Sequence, residues 1–194
     1  MRSALDQLCD TELILLLDRG ETAALQLLVQ RYHSALTGYL FQLLGGDRSL
    51  AEDLAQETFI RVLQHLHQPA PKSFKAWLFA VATNLARDEL KSAARRRRAP
   101  LPEAVLQTLA DPDPGPEDLV TAQEHDAVLA LALGRLNLEY RSAVLLRFYN
   151  DLSLEEIAGV LHIPVGTVKS RLSTGLRQLR NLMTALQQEV NAGG

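Results

Sequence analysis

The stretch DLSLEEIAGVLHIPVGTVKSRLSTGLRQLR, residues 151–180, reads as two helices joined by a tight turn, the second of them basic. Ser153 and Glu156 have the spacing of a capping box: the hydroxyl accepts from the amide three residues on, and the carboxylate reaches back to the Ser153 amide. Leu154, Ile157, Ala158 and Leu161 then recur on one helical face, so a core-facing stripe is available. His162, Ile163 and Pro164 break the pattern, because proline disfavours helical backbone in the residue before it and suits the first turn of a new helix. The second helix is expected to turn Val165, Val168, Leu172, Leu176 and Leu179 inward. That leaves Gly166, Thr167, Lys169, Ser170 and Arg171 near its amino-terminal, outward side, where the recognition helix of a helix-turn-helix carries its base-reading side chains. Residues 164–183 contain Lys169, Arg171, Arg177 and Arg180 and no acid, the sign that phosphates require. A helical hairpin with solvated charges is the plainer reading. The capping box, the short turn and the acid-free second helix together weigh against it.

A net charge of −3 looks wrong for a nucleic-acid binder until it is mapped along the chain. Residues 95–98 are all arginine, whereas residues 99–126 hold Glu103, Asp111, Asp113, Glu117, Asp118, Glu124 and Asp126 with no Lys or Arg. The average therefore conceals a basic, acidic, basic order. With 194 residues, 47% hydrophobic and 22% charged, the chain has the composition of an ordinary soluble protein of one large or two small domains. The single Cys9 excludes a disulfide framework and any cysteine-based zinc site, which suits a reducing cytosol. No secretory signal is legible, and the apolar run 13–17 is far below the ~20 residues that span a bilayer, so a cytoplasmic protein without membrane insertion is expected.

In chain order, a short helix from about Asp10 to Gly20 presents Leu13, Leu16 and Leu17. Residues 22–44 form a long amphipathic helix with Leu25, Leu28, Val29, Tyr32, Leu36, Tyr39, Leu40 and Leu43 inward, ended by Gly45 and Gly46. Ser49 and Glu52 predict a second capping box, opening a helix that buries Ala51, Leu54, Ala55, Thr58, Val62 and Leu66. Its other side carries Asp53, Gln56, Glu57, Ile60 and Gln64 as one stripe: a solvated face by default, though Ile60 hints at a partner. A third long helix starts near Ser73, with Phe74, Trp77, Leu78, Val81, Ala82 and Leu85 inward and Asn84, Arg87, Lys91, Arg95 and Arg98 opposite, a basic rail that a generic polyanion tether would also explain. Five prolines and a glycine among acids over residues 99–117 mark a linker. Beyond it, a helix from about Leu119 presents Val128, Leu131, Ala132 and Leu136, and another uses Tyr140, Val144, Leu145 and Phe148 before Asn150. The fold class expected is all-α: two small helical domains, residues 1–98 and 119–190, joined by the acidic, proline-rich linker 99–118.

The segments LLVQRYHSALTGYL, AEDLAQETFIRVL and FKAWLFAVATNLARDELK resemble region 2 of the sigma-70 family, and the helix-turn-helix resembles region 4. In this order, across an acidic linker and with no third domain, they make the chain similar to an extracytoplasmic-function (ECF) sigma factor of bacterial RNA polymerase. The resemblance implies that Asp53, Gln56, Glu57 and Ile60 bind the core polymerase. It implies that Lys72, Asn84, Arg87 and Lys91 bind and melt the minus-10 promoter element, with the loop 67–75 holding a flipped-out base. It likewise implies that Gly166, Thr167, Lys169, Ser170 and Arg171 meet the minus-35 element in the major groove, and that an anti-sigma factor is a partner. One departure stands out: where the family usually continues with arginines after SRL, this chain has Ser173, Thr174, Gly175 and Leu176.

Other classes fit less well. A stand-alone helix-turn-helix regulator would usually add a ligand or receiver domain, and the first domain shows neither. An enzyme is not expected: His65 and His67 lack the partners of a zinc site, and Gly45-Gly46 lacks the lysine of a phosphate loop. No cofactor and no small-molecule substrate are anticipated; catalysis would belong to the polymerase.

Overall fold

The computed structural model describes residues 7–65, 72–98 and 122–192, and these form eight helices and no strand. They are α1 (Asp10–Asp18), α2 (Thr22–Leu43), α3 (Arg48–His65), α4 (Phe74–Arg98), α5 (Ala122–Arg135), α6 (Leu138–Phe148), α7 (Leu154–Leu161) and α8 (Val165–Ala192). Leu66, most of the loop 67–75 and the linker lie outside the described residues.

Helices α1 to α4 pack as one unit around Leu13, Leu28, Leu36, Leu40, Ala51, Ala55, Leu78 and Phe79. At its centre the buried Tyr39 hydroxyl and Thr83 Oγ1 lie 2.8 Å apart, while Thr83 also donates to the Phe79 carbonyl. The Tyr39 ring meets Phe79 edge-on at 5.2 Å. A buried hydroxyl needs such a partner, because leaving it unpaired costs about 1–3 kcal/mol. Burial pushes the Tyr39 phenol well above its usual range, so it stays neutral.

Two expectations change here. α3 opens two residues earlier than a Ser49–Glu52 box requires: Asp47 Oδ1 accepts from Leu50 N at 3.0 Å, and Glu52 instead pairs with Arg48 one turn back. An aspartate cap outcompetes serine here because its acceptor is charged and sits at the positive end of the helix. Trp77 is half-buried, edge-on to Phe74 at 6.2 Å, and Phe79, absent from the expected stripe, is the aromatic anchor of the core.

Helices α5 to α8 form the second unit, with α6 against both α7 and α8 and α5 along α8. Leu131 and Phe148, expected inward, are 57% and 55% exposed; Leu133 and Leu146 take the inward positions. The apolar residues of α5 and α6 are nearly continuous, so period alone does not choose the register that packing imposes. The units are not separate: α4 lies along α7, α2 touches α6, and one contiguous set of buried side chains runs through both.

Candidate polymerase and nucleic-acid interfaces

The turn of the helix-turn-helix is built as its sequence demands, with one addition. Both halves of the Ser153–Glu156 capping box are made, at 2.9 Å from Ser153 N to Glu156 Oε2 and 3.2 Å from Glu156 N to Ser153 Oγ. α7 ends because His162 is left-handed, at φ 54°, and Ile163 N donates to the Ala158 carbonyl. The Pro164 carbonyl then accepts from Thr167 and Val168 N to start α8. Proline thus opens the new helix, and the residue two before it supplies the reversal.

Along α8, Val168, Leu172, Gly175 and Leu179 are buried, while Leu176 is 39% exposed. Gly175 therefore replaces Leu176 on the inward face. A Cβ at position 175 would lie 3.1 Å from Val144 Cγ2 and 3.2 Å from Tyr140 Cβ, tighter than ordinary van der Waals contact, so a side chain here requires its neighbours on α6 to give by a few tenths of an ångström. The glycine in the unusual Thr174-Gly175-Leu176 segment suits the close approach of this helix pair.

Gly166, Lys169 and Ser170 are exposed at the start of α8, and Thr167 is half-buried beside them. Arg171 departs from the outward expectation. Its side chain is only 17% exposed, and its guanidinium pairs with Glu139 of α6 at 2.7 Å. Both residues line a cleft of about 480 Å³ together with Arg87, Leu90, Lys91 and Ala94 of α4. The basic rail of the first unit and the key arginine of the second thus face the same space. Lys72, Asn84 and Lys91 are exposed and Arg87 is half-buried.

The stripe on α3 is presented as expected: Asp53, Gln56, Ile60 and Gln64 are exposed, and Glu57 pairs with Arg61 at 2.7 Å. Ile60 is 49% exposed in the middle of this polar row, an apolar side chain left in water without a packing role.

Ser73, Glu156 and Arg141 join the units through contacts between residues distant in sequence. Ser73 Oγ accepts from Ala76 N, capping α4, and donates to Glu156 Oε1 at 2.7 Å. That bond is the first reason the Glu156 carboxyl sits below its ordinary range; burial opposes it, and the Ser153 N–H, the Ser153 hydroxyl and the Lys75 charge add to it. Arg141 of α6 donates to the Leu43 carbonyl of α2 at 3.0 Å, the Leu136 carbonyl at 2.9 Å and the Gly134 carbonyl. One signal for Arg141 was available: Leu138, Arg141 and Leu145 share one face of α6, and a cation on an apolar stripe must find acceptors. Ser73 and Glu156 are far apart in sequence, and nothing local connects them.

Two compact helical units, one with a basic helix and one with a helix-turn-helix, present surfaces of the kind that meet nucleic acid. Residues 28–96 match Sigma-70 region 2 and residues 127–179 match Sigma-70, region 4. The chain is 38% identical over 159 residues to the ECF RNA polymerase sigma factor SigE of Mycolicibacterium smegmatis, covering 82% of this chain but only 62% of that relative. It is 32% identical over 169 residues to the ECF RNA polymerase sigma factor RpoE of Cereibacter sphaeroides, covering 86% of this chain and 90% of that one. Among solved structures, CnrH in complex with the cytosolic domain of CnrY aligns with a TM-score of 0.67 at 25% identity, over 91% of this chain and 97% of that one. The chain belongs to the ECF sigma factors, which direct bacterial core RNA polymerase to promoters. Among the described residues no helix is long and apolar enough to cross a membrane.

Proposed function

We propose a division of labour within this initiation factor, with unit boundaries at residues 1–98 and 119–190 and the linker 99–118 between them. Asp53, Gln56, Glu57 and Ile60 dock on the core polymerase. The exposed Ile60 within an acidic and amide row supports this, since burying one apolar side chain among charges that steer the encounter is how such surfaces gain both affinity and rate. Lys72, Asn84, Arg87 and Lys91 engage the minus-10 element, where cations offset the few kcal/mol that unstacking a base costs. Gly166, Thr167, Lys169, Ser170 and Arg171 engage the minus-35 element. A bidentate Arg171–guanine contact discriminates by about 1–3 kcal/mol. The protein acts in the cytoplasm, has no catalytic residues of its own, and is held in check by an anti-sigma factor, a partner of the kind found in the co-crystal structure of the sigma factor RpoE with the anti-sigma factor NepR from Bartonella quintana.

The single observation that carries this reading is the sharing of one chain by two basic helical surfaces and a separate acidic stripe. Arg171→Ala should abolish minus-35 recognition in a footprint while leaving polymerase binding intact. Asp53→Ala with Glu57→Ala should do the reverse in a pull-down with core polymerase. Loss of the same function in both variants would contradict the division.

A further inference from the structure

The cleft lined by α4 and the helix-turn-helix unit is not purely ionic. Arg87, Leu90, Lys91 and Ala94 recur at the spacing of a single α4 face, so cations and apolar side chains alternate along one wall. Leu161 and Ile163 add apolar surface from the second unit, and Arg171 adds a further cation. Glu139 is the one acid of the lining, against the three cations. The volume of about 480 Å³ falls within the ~300–1,000 Å³ of small-molecule pockets, which likewise combine apolar walls with a few convergent polar groups. Arg87 is half-buried and the Arg171 side chain is 17% exposed, so their charges are less screened than those of surface cations. Glu139, by contrast, has a side chain that is 60% exposed. It can swing into solvent without a burial cost and yield Arg171 to another anion.

The two kinds of lining select the ligand together. An inorganic anion satisfies the guanidinium groups but leaves the apolar walls in contact with water, and an apolar molecule strands two partly buried charges. A flat organic body with two or more negative charges satisfies both. Guanidinium groups bind phosphate bidentately and also stack on planar rings. We propose that this cleft binds a free nucleotide, with its phosphates on Arg87, Lys91 and Arg171 and its base against Leu90, Ala94 and Ile163. Glu139 competes with the phosphates for Arg171 and so sets the affinity. The same three cations are assigned above to promoter DNA, so a bound nucleotide also withholds them from it. That consequence alone rests on the DNA assignment; the site itself rests on the cleft.

The test is calorimetric titration of the full chain with ATP in magnesium-free buffer, then with pyrophosphate and with adenosine, each of which carries half of the ligand's chemistry. ATP should bind saturably with one molecule per chain, and pyrophosphate and adenosine should each bind about tenfold or more weakly. Arg87→Gln removes a charge-assisted contact and should weaken ATP binding by about tenfold or more. Glu139→Gln keeps a hydrogen bond to Arg171 but removes the competing charge, so it should tighten ATP binding several-fold. Misfolding cannot produce a loss in one variant and a gain in the other. Absence of saturable ATP binding, equal binding of pyrophosphate, or ATP binding indifferent to both substitutions overturns the proposal. Binding of single-stranded oligothymidylate in place of ATP, and its loss in Arg87→Gln, overturns it too and makes the cleft part of the DNA surface. The consequence is read separately, as release of a random-sequence duplex by ATP. ATP that binds but releases no duplex leaves the site standing and contradicts the assignment of these cations to DNA. Because the calorimetry contains no duplex, the two failures are distinguishable.

Discussion

At the scale of single residues, the molecule resolves several conflicts between local preference and packing. Gly175 is the sharpest. Helix propensity favours alanine over glycine by about 1 kcal/mol, but a Cβ there meets Tyr140 Cβ, which is anchored to the α6 backbone and cannot swing away. Overpacking of this kind costs about 1–3 kcal/mol. Gly175→Ala should therefore lower stability by about 1 kcal/mol, read as an earlier urea midpoint, and Gly175→Leu should lower it more. His162 presents the opposite case: a non-glycine residue at φ 54° pays about 1 kcal/mol for its left-handed backbone. His162→Gly should raise the thermal midpoint by a few degrees. Glu156 supplies a pH dependence. Its carboxyl is held below the ordinary range in the folded state, so its contribution is fully present above the unfolded value near 4.5 and is lost as pH falls through the folded one. Acid titration of stability should therefore be shallower below about pH 5 in Glu156→Gln, whose amide keeps the capping box without titrating.

At the scale of elements, the sequence is most legible where a cap, a period and a stop agree. The capping box and the break at Pro164 mark α7 and the start of α8, and Gly45 and Gly46, both with positive φ, follow α2 where the pattern stops. It is least legible where apolar residues run together: in α5 and α6, Leu131 and Phe148 look as inward as their neighbours, and only packing against α8 and α2 selects among them. The outward stripe on α3 is visible because its polar side chains recur at helical spacing. The burial of Arg171 is not, because its partner Glu139 belongs to another helix and the wall over it to the other unit. Arg141 of α6 serves three carbonyls at two helix ends, those of α2 and α5, and burial pulls its guanidinium below its usual range. Arg141→Ala should cost about 2–3 kcal/mol in chemical denaturation, because the carbonyls it serves lose a charged donor in a half-buried place.

At the scale of the whole molecule, two units related to sigma regions 2 and 4 share a continuous core, and the charged surfaces of a protein of net charge −3 are sorted by task. Acidic and amide groups with Ile60 face outward on α3, while Arg87 and Lys91 of α4 and Arg171 of α8 converge on a single cleft. That sorting explains how an acidic chain serves DNA: the local field at each surface, not the sum, meets the phosphates. The most direct measurement of the central claim is run-off transcription from a library of genomic fragments with purified bacterial core polymerase, with and without this protein. New start sites that arise only when the protein is present, and that share one upstream motif, are the predicted result. Unchanged initiation by core polymerase, with the protein alone retarding duplex DNA, would contradict it and leave a stand-alone regulator in its place.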